Sequence, residues 1–205
     1  MTKKEHIDYV RNNLAQLDRT NKYHPNQVAF GIEQACQKIF YDLAQKSPKD
    51  LDRYSFLSKD NAIAQDTSIN RYYISLADGC YDVPLKASGV LELIDPSSTF
   101  ADQPTLFVPM TSIEMSQLHG LEGTLGTSII GYAYSQGSTS GMRIDLFGAS
   151  DQDDITVRYL KRFTDYADTD QVNLPYGKDY DISTMVLQIL ANIPPKDLIN
   201  DNSDT

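Results

Sequence analysis

Between Asp154 and Asn192 the chain changes periodicity once, and the order of that change limits the folds open to it. Ile155, Val157 and Tyr159 alternate with polar residues, the period of a strand with one buried face. An Asp-rich polar loop follows and the chain turns at Leu174-Pro175. Ile182, Val186, Ile189 and Leu190 then fall on one helical face. The segment predicts a strand that hands the chain to a docked helix through a fixed corner, and nothing in it suits catalysis. Asp179 and Asp181 favour the helix start through the backbone dipole. Pro194-Pro195 stops the helix, so its expected span is 179–192.

A second strong pattern lies near the N-terminus. Pro25 stands where a helix opens, at the position whose missing N–H is not needed. Val28, Ile32, Ala35, Ile39 and Leu43 form an apolar stripe flanked by Phe40. Ser47-Pro48 ends it, because the residue before proline avoids the helical region. His24, just before Pro25, is a helix-entry residue. Lys3 to Asp18 predicts a shorter helix with Ile7, Val10, Leu14 and Leu17 on one face. The two adjoining helices suggest an α-hairpin.

Residues 49–70 are polar. Tyr54 to Leu57 suggests a short strand, and 58–70 an exposed loop. From Arg71 the period becomes two. Arg71–Leu76, Val90–Ile94 and Leu106–Val108 read as strands. Thr111 and Glu114 make a capping box that starts a short helix through Leu118, stopped at Gly120. Ile129–Tyr134 and Met142–Phe147 read as an antiparallel pair around a small polar loop, and Ile155–Leu160 extends them into a meander. The fold class is therefore α+β: an N-terminal helical hairpin and a C-terminal helix packed with a mainly antiparallel β-sheet platform. The expected organisation is a helical hairpin at 1–48, a β region with a short helix at 49–160, a loop and helix rejoining the helical part at 161–193, and a flexible acidic tail at 194–205.

A chain of 205 residues fits one domain, or one with a small subdomain, and at this size roughly 70% of the unfolded surface can leave water. The net charge of -10 argues against binding driven by phosphate neutralisation. Residues 1–60 hold ten Lys/Arg and eight Asp/Glu, while residues 61–205 hold eight and twenty. The acidic part suits either a solubilising surface or the wall of a passage that repels DNA. The 13 tyrosines suit large wet contacts or the lining of a sheet. Cys36 falls mid-helix and Cys80 in a turn, with no CxxC and no disulfide framework, which fits a reducing compartment. No apolar run approaches the roughly 20 residues of a membrane span. The N-terminus has no apolar core of a secretion signal.

Chemistry-bearing motifs find no support. His6, His24 and His119 are far apart and form no ligand pair at helical spacing. The segment 120–128 is rich in glycine but lacks the Lys-Ser/Thr ending of a phosphate loop. The acidic run 151–154 lacks the glycine and glutamate of a calcium loop. Cys36 is read as a helix-face residue with no nearby basic pair to activate it, and no nucleophile elbow is present. No catalytic residue, metal or cofactor is expected, and an enzyme reading has no positive support.

The order of elements carries a resemblance. Tyr23-His24-Pro25 introduces a long helix. The segments 80–85 and 90–94 follow as strand material, and 108–118 carries a small helix. A glycine-rich hairpin comes next, and then Ile155-x-Val157-x-Tyr159, Val172-x-Leu174-Pro175 and the helix from Asp181 to Ala191. In this order the chain resembles the head–tail connector, or adaptor, proteins of short-tailed bacteriophages, podovirus-like or crAss-like. The polar stretch 49–70 and the acidic Pro-Pro tail depart from the family pattern.

The resemblance implies a non-enzymatic virion protein, made in the host bacterial cytoplasm and assembled as a homo-oligomeric ring, a dodecamer in the family. The ring would lie in the neck below the portal, extend the DNA channel without sequence-specific binding, and dock the next tail component. Its partners would be the portal protein, adjacent tail or neck proteins and further copies of itself, with no membrane. The C-terminal segment would reach a partner and order on contact, with Ile193, Pro194, Pro195, Leu198 and Ile199 as interface residues. Two other classes compete. One is another baseplate or head-completion protein of a phage; the other is a small bacterial ligand-binding protein or enzyme. A secreted adhesin-like domain fits less well.

Overall fold

The computed structural model describes residues 1–17, 22–85, 88–95, 105–118, 129–136, 141–149, 155–176 and 181–191. The chain folds as an α+β structure with two main hydrophobic cores, one helical and one between β-sheets.

The helical core is built around α2 (Pro25–Lys46), whose ends are set by local chemistry. His24 has an extended backbone, and its ring Nδ1 accepts the Asn26 N–H at 3.3 Å. Gln27 Oε1 accepts the His24 N–H at 2.9 Å, so a histidine takes the usual place of Ser or Thr in a capping box. The Ser47 N–H closes the last turn on the Leu43 carbonyl, and Pro48–Tyr54 continues as a 3-10 turn. Val28, Ile32, Ala35, Cys36 and Ile39 are out of water. Burying each of Val28, Ile32 and Ile39 contributes roughly 1.5–3 kcal/mol. Against α2 pack α1 (Lys3–Leu17) and α4 (Ile182–Ala191), which also touch each other. Tyr81, Val83, Leu160, Phe163 and Val172 complete this core. The stripe expected on α1 holds for Ile7, Val10 and Leu14. Leu17, at the last position of the helix, is a correction: it is 56% exposed and takes no part in the core.

Among the described residues, eight strands make two sheets. The first holds β1 (Phe56–Asn61), β8 (Ile155–Tyr159) and β4 (Val90–Ile94), in the order β1-β8-β4 and antiparallel throughout. The second holds β2 (Ile63–Asp66), β3 (Arg71–Leu76), β7 (Met142–Phe147), β6 (Ile129–Gln136) and β5 (Leu106–Pro109), in the order β2-β3-β7-β6-β5. It is antiparallel except for β5, which runs parallel to β6. Ile74, Ile130, Met142, Ile144 and Leu146 of the larger sheet share a core with Val90, Leu93, Ile155 and Val157 of the smaller one. A short helix, α3 (Ser112–Gln117), starts at the expected Thr111–Glu114 capping box. It drives Met115 against Ala133 and Phe147 in a third, small cluster.

Two expectations are corrected here. β6 and β7 pair antiparallel as expected, but β8 does not extend them into a meander. It crosses to the other sheet and sits between β1 and β4, where its alternating side chains face the inter-sheet core. Residues 58–70 are not a simple loop, since most of them form β1 and β2 with a corner at Ala62 between the two sheets. Asn61 fixes that corner: its side-chain amide donates to the carbonyls of Ser58 (3.0 Å) and Ile155 (2.8 Å), where the β1–β8 register slips. The abundant tyrosine has a partial structural explanation, because Tyr81, Tyr132, Tyr159 and Tyr166 are buried core residues.

Candidate functional site at the junction of the two cores

After β3 the chain runs through Asp78, Gly79 and Cys80, and after β8 through Leu160, Lys161 and Arg162. Cys80 and Lys161 form an isolated antiparallel bridge between these extensions. The Tyr81 N–H donates to the Leu160 carbonyl at 2.9 Å, and the Arg162 N–H to the Gly79 carbonyl at 3.2 Å. This ladder places two charged side chains together. Lys161 Nζ lies 3.0 Å from Asp78 Oδ2, with the lysine side chain 7% exposed and the aspartate 29%. The ammonium also sits 4.6 Å from the Phe56 ring centre and 4.7 Å from that of Tyr166, within cation–π range. The Tyr159 hydroxyl donates to the same Asp78 oxygen at 3.0 Å.

Asp165 stands beside this pair. Its Oδ2 accepts the Gly79 N–H at 2.7 Å. Burial pushes its carboxyl above the usual range; the Gly79 hydrogen bond opposes this, and Asp78 and Glu33 add to it by repulsion. The Arg162 guanidinium donates from Nε to the Cys80 carbonyl at 3.2 Å and lies over Gly79. A β-carbon there would come within 3.1 Å of it, so glycine leaves the room the arginine needs. Burial raises the Tyr159 phenol far above its ordinary value, with Asp78 adding to the shift, so it is a donor at neutral pH. The arrangement is a desolvated amine, a carboxylate, a phenol donor and a second carboxyl at the seam between the sheets and the helices.

A second polar cluster clasps the N-terminus. The Lys3 ammonium donates to the carbonyls of Thr164 (2.8 Å) and Tyr166 (2.7 Å), and the Val172 N–H to the Met1 carbonyl at 3.0 Å. His6 is 2% exposed, with Nε2 at 2.8 Å from the Val172 carbonyl and Nδ1 at 2.8 Å from the Tyr176 hydroxyl. A carbonyl only accepts, so Nε2 carries the proton and the neutral Nδ1 accepts from Tyr176. Burial holds this imidazole below its ordinary value, opposed by the hydrogen bond to Val172.

Two further surface features stand apart from the junction. On the outer face of the larger sheet, Arg143 pairs with Asp145 (2.7 Å) and Asp66 (3.0 Å) and lies 4.1 Å above the Tyr73 ring. A groove of about 330 Å³ runs where β4 nears β5, lined by Leu85, Val90, Leu91, Pro109 and Tyr132, with Lys49 and Asp52 at its rim.

The residues expected to contact a partner, Ile193, Pro194, Pro195, Leu198 and Ile199, lie outside the described residues. So do Asp179, His119 and the segments 120–128 and 151–154. His24 is a helix cap and His6 a core residue, and among the described residues no group of three or more His, Cys, Asp or Glu is placed to hold a metal ion. Cys36 and Cys80 are free and buried, their thiols pushed up to about 12 and about 11 by desolvation. Lys161 and Asp78 were not visible as a pair in the sequence; the one local signal is a lysine directly after the apolar alternation of β8. No helix among the described residues is long and apolar enough to cross a membrane. No family model matches the chain, and no curated protein matches it.

Proposed function

We propose that this chain is a non-enzymatic structural subunit of a tailed-phage virion, a ring protein of the head–tail connector below the portal. The observation that carries the reading is the end of the chain. Strand β8 leads through a loop pinned to the N-terminus, turns at a buried Pro175, and delivers α4 onto α2. That order of elements is the one on which the resemblance to connector proteins rests. In the proposed ring the helical core faces neighbouring subunits, the sheets form the platform, and the segment after α4 engages the portal or the next ring. Ile193, Pro194, Pro195, Leu198 and Ile199 anchor that segment, and DNA passes without sequence-specific contact. The protein acts in the virion after assembly in the host cytoplasm.

Immunogold labelling of purified particles with an antibody against this chain tests the reading. Label confined to the vertex that bears the tail supports a connector; label elsewhere on the particle, or none, contradicts it.

One observation favours a second reading, a small ligand-binding module. The groove at Leu85, Val90 and Tyr132 has a volume at the low end of small-molecule sites, roughly 300–1,000 Å³. A fragment screen read by shifts of resonances from Leu85, Val90 and Leu91 tests it.

A further inference from the structure

We propose that Lys161 and Asp78 condense into an intramolecular amide, a covalent tie between the end of β3 and the end of β8. The inference stands on the junction geometry and does not depend on the virion reading.

Four placements support it. The amine lies 3.0 Å from the Asp78 carboxyl oxygen, in contact before any reaction. Its side chain is almost wholly out of water and sits against two aromatic rings, so water has little access from the lysine side. The Tyr159 hydroxyl donates to the same carboxyl oxygen, the one that leaves as water, and so eases its departure. The Asp165 carboxyl is fixed one residue along the chain from Asp78, through the Gly79 N–H. Two groups held in contact react as if at very high concentration, which is what turns an amide-forming condensation from unfavourable in water to favourable inside a fold.

The step balances without an outside reagent. The ion pair first becomes a neutral amine and a carboxylic acid by passing one proton from Nζ to Oδ2. The Nζ lone pair then attacks Asp78 Cγ. The C–N bond forms, a second amine proton reaches Oδ2 through the Asp165 carboxyl, the Cγ–Oδ2 bond breaks, and that oxygen leaves as water. Nothing is oxidised or reduced. Carboxyl protonation at Asp165 is favoured by its surroundings, as a proton relay requires. Both cysteines are free, so such an amide would give the chain a cross-link without a disulfide.

The test is the intact mass of the purified full-length chain under denaturing conditions, with peptide mapping. The proposal predicts a mass one water below that of the sequence and a branched peptide joining Asp78 to Lys161. Asp78→Asn condenses with loss of ammonia instead, so its product has the same mass as the wild-type product. Lys161→Arg keeps its full mass, and Asp165→Ala stays unreacted or reacts far more slowly. A wild-type chain at full sequence mass, with the Lys161 peptide unbranched, overturns the proposal and leaves an ion pair only. An Asp165→Ala chain that condenses as fast as the wild type overturns the relay role.

Discussion

Gly31 of α2 lies so close to Val186 of α4 that a β-carbon at position 31 would stand 2.7 Å from Val186 Cγ1. The Val186 side chain fills the space a β-carbon would take, and a glycine stands there although helix propensity disfavours it. Gly31→Ala gains about 1 kcal/mol of propensity but overpacks a closed contact, which costs about 1–3 kcal/mol. The net expectation is a loss that is relieved when Val186→Ala is added, so the pair is less than additive. Urea unfolding of the two single variants and the double variant measures it; additive losses would mean the helices do not meet at this point.

The His6 clasp makes stability depend on pH. Its folded-state imidazole titrates below the ordinary value of 6.5, so the unfolded chain binds the proton more readily. The contribution of His6 is complete above about 6.5 and is lost as the pH falls through the depressed folded value. The wild type should therefore lose urea stability on going from neutral to mildly acidic pH. His6→Gln should flatten that slope while lowering stability at neutral pH. An unchanged slope in the variant would locate the titration elsewhere.

In the Asp165→Ala background, where the pair stays ionic, Lys161→Met should destabilise the fold by about 3 kcal/mol. That is the lower end of the cost of orphaning one partner of a buried pair, because Asp78 keeps part of its side chain in water. The loss should be smaller for Lys161→Met with Asp78→Ala together, since no charge is then stranded. Thermal unfolding of Asp165→Ala and of the two chains built on it separates these outcomes.

Asp181 begins α4 by accepting the Thr184 N–H at 3.2 Å and the Thr184 hydroxyl at 2.6 Å. Asp181→Ala should cost about 1 kcal/mol, the usual worth of a helix cap. The exchange of α4 amide hydrogens should rise more than that of α2. Those hydrogen bonds hold its carboxyl below 3.8, so the cap persists through mild acid and fails only as the pH drops below that value. Equal exchange in the variant and the wild type would show that packing on α2 alone holds α4.

The proposed anchors predict a separation of folding from assembly. A chain ending at Asn192 should keep the thermal unfolding of the full chain, because the described members of both cores all lie at or before Leu190. Phage carrying only that shortened gene product should fail to complete particles. Infectious particles from the truncated chain would contradict the anchor role of Ile193, Leu198 and Ile199.

Local order was legible in the residues, and long-range partnership was not. The Pro25 and Ser47-Pro48 boundaries, the Thr111–Glu114 box and the β6–β7 pair rest on neighbours in the chain, and each appears as expected. The alternation of Ile155, Val157 and Tyr159 marks a strand but does not say which strands flank it, so its place between β1 and β4 was invisible. β1 was read as loop beyond Leu57 because Ser58, Lys59 and Asn61 have weak strand preference. Pairing with β8 and the Asn61 side-chain bonds override that preference. Asp78 and Lys161 carry no signal as a pair, because a buried pair drawn from distant segments leaves no spacing to detect.

The central claim is tested most directly by counting this chain in the particle. Density-purified phage from the source culture should contain it at a fixed ratio to the portal protein, near parity for two rings of matching symmetry, by quantitative immunoblot. Absence of the chain from the particles would contradict the connector reading.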